Sequence, residues 1–325
     1  MKRLSIKNIL VPIDFSKLSV EAIAIAKWLA QRFGATIHLT HVHQWQYPAD
    51  FMGPVMSSEF LPEERQDKHL AEELKSIANK AGLSSRDQTH LRKGISAFHE
   101  ICNLAREISA DLIVLPTHGY TGLKHVFLGS TAERVVQHAP CPIFVVRQAG
   151  KRSAKESPDY KKILVPVDFS GCSQKGLQYA IGFANELGAE ITLLYATYLG
   201  YVYSCVGTAL YDIPGLQAAA RKNAQRQMRK LVQAADFGRV KFETVFTEGS
   251  PVLDICDFAK SQDVDLIISS THGLTGFEHA LIGSIAEKVV RHAPCSILVV
   301  PSHPQIGAAK LAKKGPTKMR ASAIR

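Results

Sequence analysis

The feature that most constrains this chain is that it repeats itself. Residues 7–16 read KNILVPIDFS and residues 161–170 read KKILVPVDFS. Residues 111–146 recur as 265–300, with 22 identities in 36 positions. Both blocks keep the 154-residue offset that separates Asp14 from Asp168. Solenoid units are much shorter, about 20–50 residues, so a whole domain has been copied. The 325 residues divide accordingly into a first copy (1–147), a polar linker containing Pro158 (148–160), a second copy (161–301) and a basic tail expected to be disordered (302–325).

Within each copy the hydrophobic pattern alternates between two periods. In the first, Ile9-Leu10-Val11 is a short β-branched run closed by Pro12 and Asp14, as suits a buried parallel strand. Residues 16–33 then place apolar side chains on one helical face and stop at Gly34. Strands are expected at 35–42, 88–92, 112–115 and 142–146, and helices at 61–81, 97–108 and 130–138. Five strands alternating with four helices imply a doubly wound, Rossmann-like α/β domain with a parallel sheet. Ligands of such sheets bind beyond the carboxyl ends of the strands, which is where function is expected.

Composition excludes several classes. The chain is 46% hydrophobic, enough for two cores, yet no apolar run reaches the ~20 residues that span a bilayer. The start runs into a strand without a signal-peptide apolar stretch, so a cytoplasmic location and no membrane partner are expected. Six cysteines (102, 141, 172, 205, 256 and 295) contain no C-x-x-C pair and read as reduced, mostly buried thiols. The formal charge is +10, but Lys310, Lys313, Lys314, Lys318, Arg320 and Arg325 supply six of those charges. The tail carries no acid and no interleaved aromatic residue, so nucleic acid is not expected as a partner.

Chemistry concentrates after the fourth strand. There the copies read PTHGYTGLKHVFLGST (116–131) and STHGLTGFEHALIGSI (270–285). In each, nine residues separate a glycine at the strand exit from a Gly-Ser at a helix start. Ser130 and Glu133, like Ser284 and Glu287, have the spacing of a capping box. A helix amino terminus preceded by glycine lets the backbone approach an anion, and phosphate is the ligand this arrangement favours. Neither a Walker lysine nor G-x-G-x-x-G is present, which argues against P-loop NTPase and dinucleotide enzymes. His118 and His272 read as loop histidines bound to backbone. No catalytic carboxylate pair, nucleophile–base dyad or metal cluster stands at a recognisable spacing, so no catalytic or metal-ligating residues are assigned. An enzymatic role beyond slow hydrolysis of a bound nucleotide is not expected.

Taken as a set, the Val-Pro-x-Asp-Phe-Ser opening, the Thr-His-Gly loop, the nine-residue spacer and the Gly-Ser followed by Ala-Pro-Cys resemble the universal stress protein family across both copies. The resemblance implies two tandem domains, each a five-stranded parallel sheet of order 3-2-1-4-5, paired intramolecularly through their last strands; a further homodimer is compatible with this but not readable from the sequence. It also implies ATP binding in one subclass, whose phosphate motif is G-x2-G-x9-G-[S/T]; whether Mg2+ accompanies the nucleotide is left open by the sequence. The second and third glycines match at Gly119 and Gly129 and at Gly273 and Gly283, whereas Pro116 and Ser270 replace the first. Proline there removes an N–H and fixes φ; serine keeps the donor.

Position by position, the resemblance puts Asp14 and Asp168 against the adenosine and Val42 and Ala196 against adenine. Gly119, Gly129, Ser130 and Thr131 are placed at the phosphates, as are Gly273, Gly283, Ser284 and Ile285. The function implied is a cytoplasmic stress-response protein with an adenine nucleotide as regulatory ligand and an unidentified protein partner. The alternative is a scaffold without nucleotide, acting through dimerisation. The copies diverge most at residues 44–60 and 197–215, which are rich in aromatic residues and expected to pack against the neighbouring domain.

Overall fold

The computed structural model describes residues 4–44, 63–117, 128–147, 159–197, 213–271 and 283–302. The first copy comprises β1 (Asn8–Pro12), α1 (Lys17–Phe33), β2 (Thr36–Gln44), α2 (Glu63–Lys80), β3 (Gln88–Gly94), α3 (Ala97–Glu107), β4 (Leu112–Pro116), α4 (Ser130–His138) and β5 (Ile143–Val146). The second runs β6 (Lys162–Pro166), α5 (Gly171–Leu187), β7 (Glu190–Thr197), α6 (Ile213–Ala234), β8 (Phe242–Glu248), α7 (Pro251–Ser261), β9 (Leu266–Ser270), α8 (Ser284–His292) and β10 (Ser296–Val300).

Local chemistry sets these boundaries. The Ser16 hydroxyl accepts the Ser19 N–H at 3.2 Å to start α1, and Gly34 ends it at φ 69°, a conformation that favours a residue without Cβ. Ser170, with Ser173 at 3.1 Å, and Gly188, at φ 63°, do the same for α5. The central strands β1, β4, β6 and β9 are apolar at successive positions because helices cover both their faces.

Each half has the expected order, β3-β2-β1-β4-β5 and β8-β7-β6-β9-β10. The halves are not two separate sheets, however. They form one ten-stranded sheet, parallel within each half and antiparallel where β5 meets β10. Ile143, Phe144 and Val145 pair there with Val299, Leu298 and Ile297. Two short apolar strands that would otherwise expose their ladder edges satisfy each other instead. Because the strands reverse direction at this seam, the carboxyl ends of the two halves lie on opposite ends of the sheet.

One apolar core lies on each face and both cross the seam. Phe144, fully buried, meets the Tyr160 ring edge-on at 5.6 Å, and Trp28 packs against the same ring at 5.4 Å. Tyr160 therefore belongs to the core rather than to a polar linker; residues 148–158 lie outside the described residues. On the other face Arg147 donates to the Val290 and Arg291 carbonyls at 3.1 and 2.9 Å, capping the end of α8. Arg291 in turn reaches Glu133 at 2.8 Å and Glu287 at 3.0 Å. Cys102, Cys141 and Cys295 are buried and Cys256 half-buried. Burial pushes the thiols of Cys102 and Cys256 up to about 11 and that of Cys295 up to about 12, so they remain protonated at neutral pH.

Candidate functional site

A cleft of about 350 Å³ opens at the carboxyl ends of the strands in each copy. This is within the range of small-molecule sites, ~300–1,000 Å³. In the first copy β1 contributes Asp14, β2 contributes His41 and Val42, and α4 contributes Gly129, Ser130 and Thr131. In the second the equivalents are Asp168, Tyr195, Ala196, Gly283, Ser284 and Ile285. Ten of the twelve residues singled out from the sequence thus converge on two clefts. Gly119 and Gly273 lie outside the described residues, as do His118, His272 and most of the two aromatic-rich segments. Pro116 and Ser270 are present on the respective walls.

The phosphate end differs from the sequence expectation in one respect. The capping box does not form: Gly129 and Gly283 are the N-caps, and among the described residues no side-chain cap hydrogen bond is made at either helix start. Both glycines have extended backbone, φ −60° and ψ 144° in one, φ −71° and ψ 144° in the other. Ser130 and Ser284 consequently fall inside the first turn, where a hydroxyl cannot reach the amides ahead of it. The glycine amides are themselves engaged, donating to Thr117 O at 2.8 Å and Thr271 O at 2.6 Å. Thr117 and Thr271 are buried and donate in turn to Val146 O and Val300 O. These bonds anchor the helix start to the end of β4 or β9. The N–H groups of Ser130, Thr131 and Ala132 have no acceptor among the described residues, and these residues line the cleft. An amide cluster of this kind at the positive end of a helix dipole attracts an anion.

At the other end of the cleft, a carboxylate and a strained backbone recur in both copies. Asp14 Oδ1 accepts the Ser16 N–H at 3.1 Å, and Asp168 Oδ1 accepts that of Ser170 at 3.0 Å. Between each pair stands a phenylalanine in the left-handed region, Phe15 at φ 64° and Phe169 at φ 65°. For a non-glycine residue that conformation costs roughly 1–2 kcal/mol, and such strain clusters at functional sites. It turns Phe15 onto His41 (centroids 4.2 Å apart) and Phe169 onto Tyr195 (4.7 Å).

His41 Nδ1 donates to Ile13 O at 2.9 Å, which leaves Nε2 as an acceptor. Burial holds His41 below the ordinary histidine value, hence neutral at pH 7. Burial, then Asp168, raises the Tyr195 hydroxyl, which stays protonated. Phe15, His41, Phe169 and Tyr195 were not singled out from the sequence; the duplicated Asp-Phe-Ser was the available signal. Among the described residues, no group of three or more histidine, cysteine, aspartate or glutamate side chains is placed to hold a metal, and no helix is long and apolar enough to cross a membrane.

Comparison with known proteins agrees with this architecture. A universal stress protein of Methanocaldococcus jannaschii is 33% identical over 141 residues, spanning 43% of this chain and 82% of that protein. The crystal structure of a universal stress protein from Archaeoglobus fulgidus superposes with a TM-score of 0.61 over 92% of this chain and 97% of that one, at 16% identity. A universal stress protein solved in complex with cAMP matches 44% of this chain and 98% of its own, with 20% identity and a TM-score of 0.31. The profile of the universal stress protein family matches residues 5–147 and again residues 159–301. With two matches covering most of its length, the chain belongs to the universal stress protein family.

Proposed function

We propose that each copy binds an adenine nucleotide, ATP first among them, as a regulatory ligand in a cytoplasmic stress response. The phosphates lie at the first turn of α4 or α8, and the adenosine lies toward Asp14 and Val42 or Asp168 and Ala196. One observation carries this reading: three consecutive residues at the start of α4 line a cleft of ligand size, and their amides have no acceptor among the described residues. Gly129 and Gly283 serve by lacking a side chain, since their N–H groups are already engaged. Mg2+ would accompany the triphosphate, held chiefly by its oxygens. Nucleotide would act by coupling cleft occupancy to the affinity for a protein partner.

A scaffold without nucleotide, acting through assembly of copies, is the second reading. Pro116, which withdraws a donor from the rim of the first cleft, favours it there.

Calorimetric titration with ATP, together with mass spectrometry of nucleotide carried through purification, separates the two. The nucleotide reading expects up to two sites per chain. Ser130→Pro and Ser284→Pro are the informative variants, because proline is the favoured first residue of a helix yet removes one of the amides. Each should keep its thermal midpoint and weaken its own site about 10- to 100-fold, as for one charge-assisted hydrogen bond. Ser→Ala at the same positions controls for the hydroxyl. Absence of both co-purified nucleotide and titration heat would leave the scaffold.

A further inference from the structure

The folded part of the chain carries a concentrated positive surface that its modest net charge conceals. Helix α6 contains Arg221, Lys222, Arg226, Arg229 and Lys230 and no acidic residue in 22 positions. Its counterpart α2 has the opposite character, with five acids and four cations in 18 positions. The two helices occupy the same place in the duplicated fold, so the basic face is not a requirement of the architecture.

At 100° per residue, the five cations fall within one half of the α6 circumference, opposite Ala224, Met228 and Leu231, which are buried. All five are exposed. Arg221 approaches Glu248 at 3.9 Å, while Lys222, Arg226, Arg229 and Lys230 have no ion pair among the described residues. From Arg221 to Lys230 the array extends about 14 Å along the helix. Past the end of α6, Arg239 and Lys241 join Lys161 around an open hollow of about 590 Å³ whose single acidic lining residue is Glu190. Asp159, 3.4 Å from the Lys161 ammonium, is a further acid beside the hollow, and Asp236 and Glu243 lie nearby in sequence; all three are exposed.

We infer that the outward face of α6, continued by Arg239 and Lys241, is a docking surface for the phosphate backbone of a double-stranded nucleic acid. A membrane-lying helix needs a free apolar face, and that of α6 is spent on the sheet. A protein partner would need several apolar or aromatic anchors; among its described side chains α6 exposes no large hydrophobic residue, and Phe242 beside Lys241 is the single one near the surface. The intervening side chains are amides, Asn223, Gln227 and Gln233, which donate to phosphate oxygens. A duplex presents one charge per ~1.7 Å, so a row of unpaired cations gains affinity by releasing its counterions. The charge lies on one copy only, so the contact is asymmetric.

The test measures anisotropy of labelled DNA and RNA duplexes of about three helical turns, titrated with the full chain from roughly 50 to 200 mM salt. The reversal R226E/R229E/K230E and the neutral R226Q/R229Q/K230Q are compared with wild type and with a chain ending at Ser302. The inference expects either duplex to bind with steep salt dependence. The triple variants should lose about 10- to 100-fold in affinity and lower the salt slope by about 3, with unchanged circular dichroism. The shortened chain should retain that difference. Triple variants that bind like wild type would overturn the inference, as would binding that vanishes with the tail alone. So would tighter binding to phosphatidylserine vesicles of equal charge, or equal competition by polyglutamate.

Discussion

The two clefts share a frame and differ in their walls. Both have an aspartate fixed by the amide two residues on, a phenylalanine at φ near 65°, and an N-cap glycine anchored to a buried threonine carbonyl. Around that frame, His41 becomes Tyr195, Thr131 becomes Ile285 and Pro116 becomes Ser270. The backbone arrangement that can meet an anion is therefore kept twice, while the groups that would read the rest of a ligand have diverged. A shared frame with altered walls is what two sites of different selectivity require, since discrimination comes from a few polar groups in a common cavity.

The comparison can be broken most forcefully at the seam. Phe144→Ala should cost about 3–5 kcal/mol in chemical denaturation, because it empties a fully buried ring position on which both halves pack. Unfolding in two separate transitions would accompany the loss if the seam alone makes the halves cooperative. A smaller effect should follow from giving the second cleft the walls of the first. Tyr195→His with Ile285→Thr is expected to move its ATP affinity toward that of the first cleft by about tenfold, or ~1.4 kcal/mol, in a two-site calorimetric titration.

Among the described residues, the histidines held below their ordinary value all lie in the first copy, where acid should act first. His38 Nδ1 lies 3.1 Å from His90 Nε2, and the second copy has Thr192 and Val245 at the equivalent places in the sheet register. Burial lowers both histidines; His90 further lowers His38, and Arg92 further lowers His90, against partial opposition from Asp87 and Glu107 respectively. A depressed folded value means that the unfolded chain binds more protons below the ordinary value of ~6.5. Stability is therefore complete above that pH and declines as pH falls toward the folded values. His38→Thr with His90→Thr should flatten the dependence of the thermal midpoint between pH 7 and 5. The smallest effect belongs to Arg291→Gln, which copies Gln137 from the first half. A partly exposed bridge to Glu133 and Glu287 should contribute less than about 1 kcal/mol, and less again in high salt.

Much of this was legible before any coordinates. The duplication and the alternating periods gave a parallel, doubly wound sheet in each half, since apolar runs such as Ile9–Val11 have few places to be buried except a parallel sheet, and the family resemblance supplied the strand order. Asp14, Val42 and Gly129 converged because they stand at strand or helix ends on one side of that sheet. What was not legible has specific causes. Ser130 and Glu133 fit the capping spacing, but the glycine before them takes the cap once Thr117 fixes its amide. The positive φ of Phe15 and Phe169 contradicts local propensity and accompanies the Asp14 and Asp168 bonds that span them and tertiary packing against His41 and Tyr195. The charge of α6 was hidden because acids elsewhere cancel it in the net figure. Membership of Tyr160 in the core was masked by its polar sequence neighbours.

The antiparallel meeting of β5 and β10 also decides how occupied clefts present themselves. With their mouths at opposite ends of one continuous slab, the two clefts are back to back, and a flat partner can cover only one of them at a time. Two partners, each sensing a different mouth, could sit on the chain together without colliding. The protein is thereby shaped as a connector with two outward-facing sockets rather than as a clamp that closes around a single object.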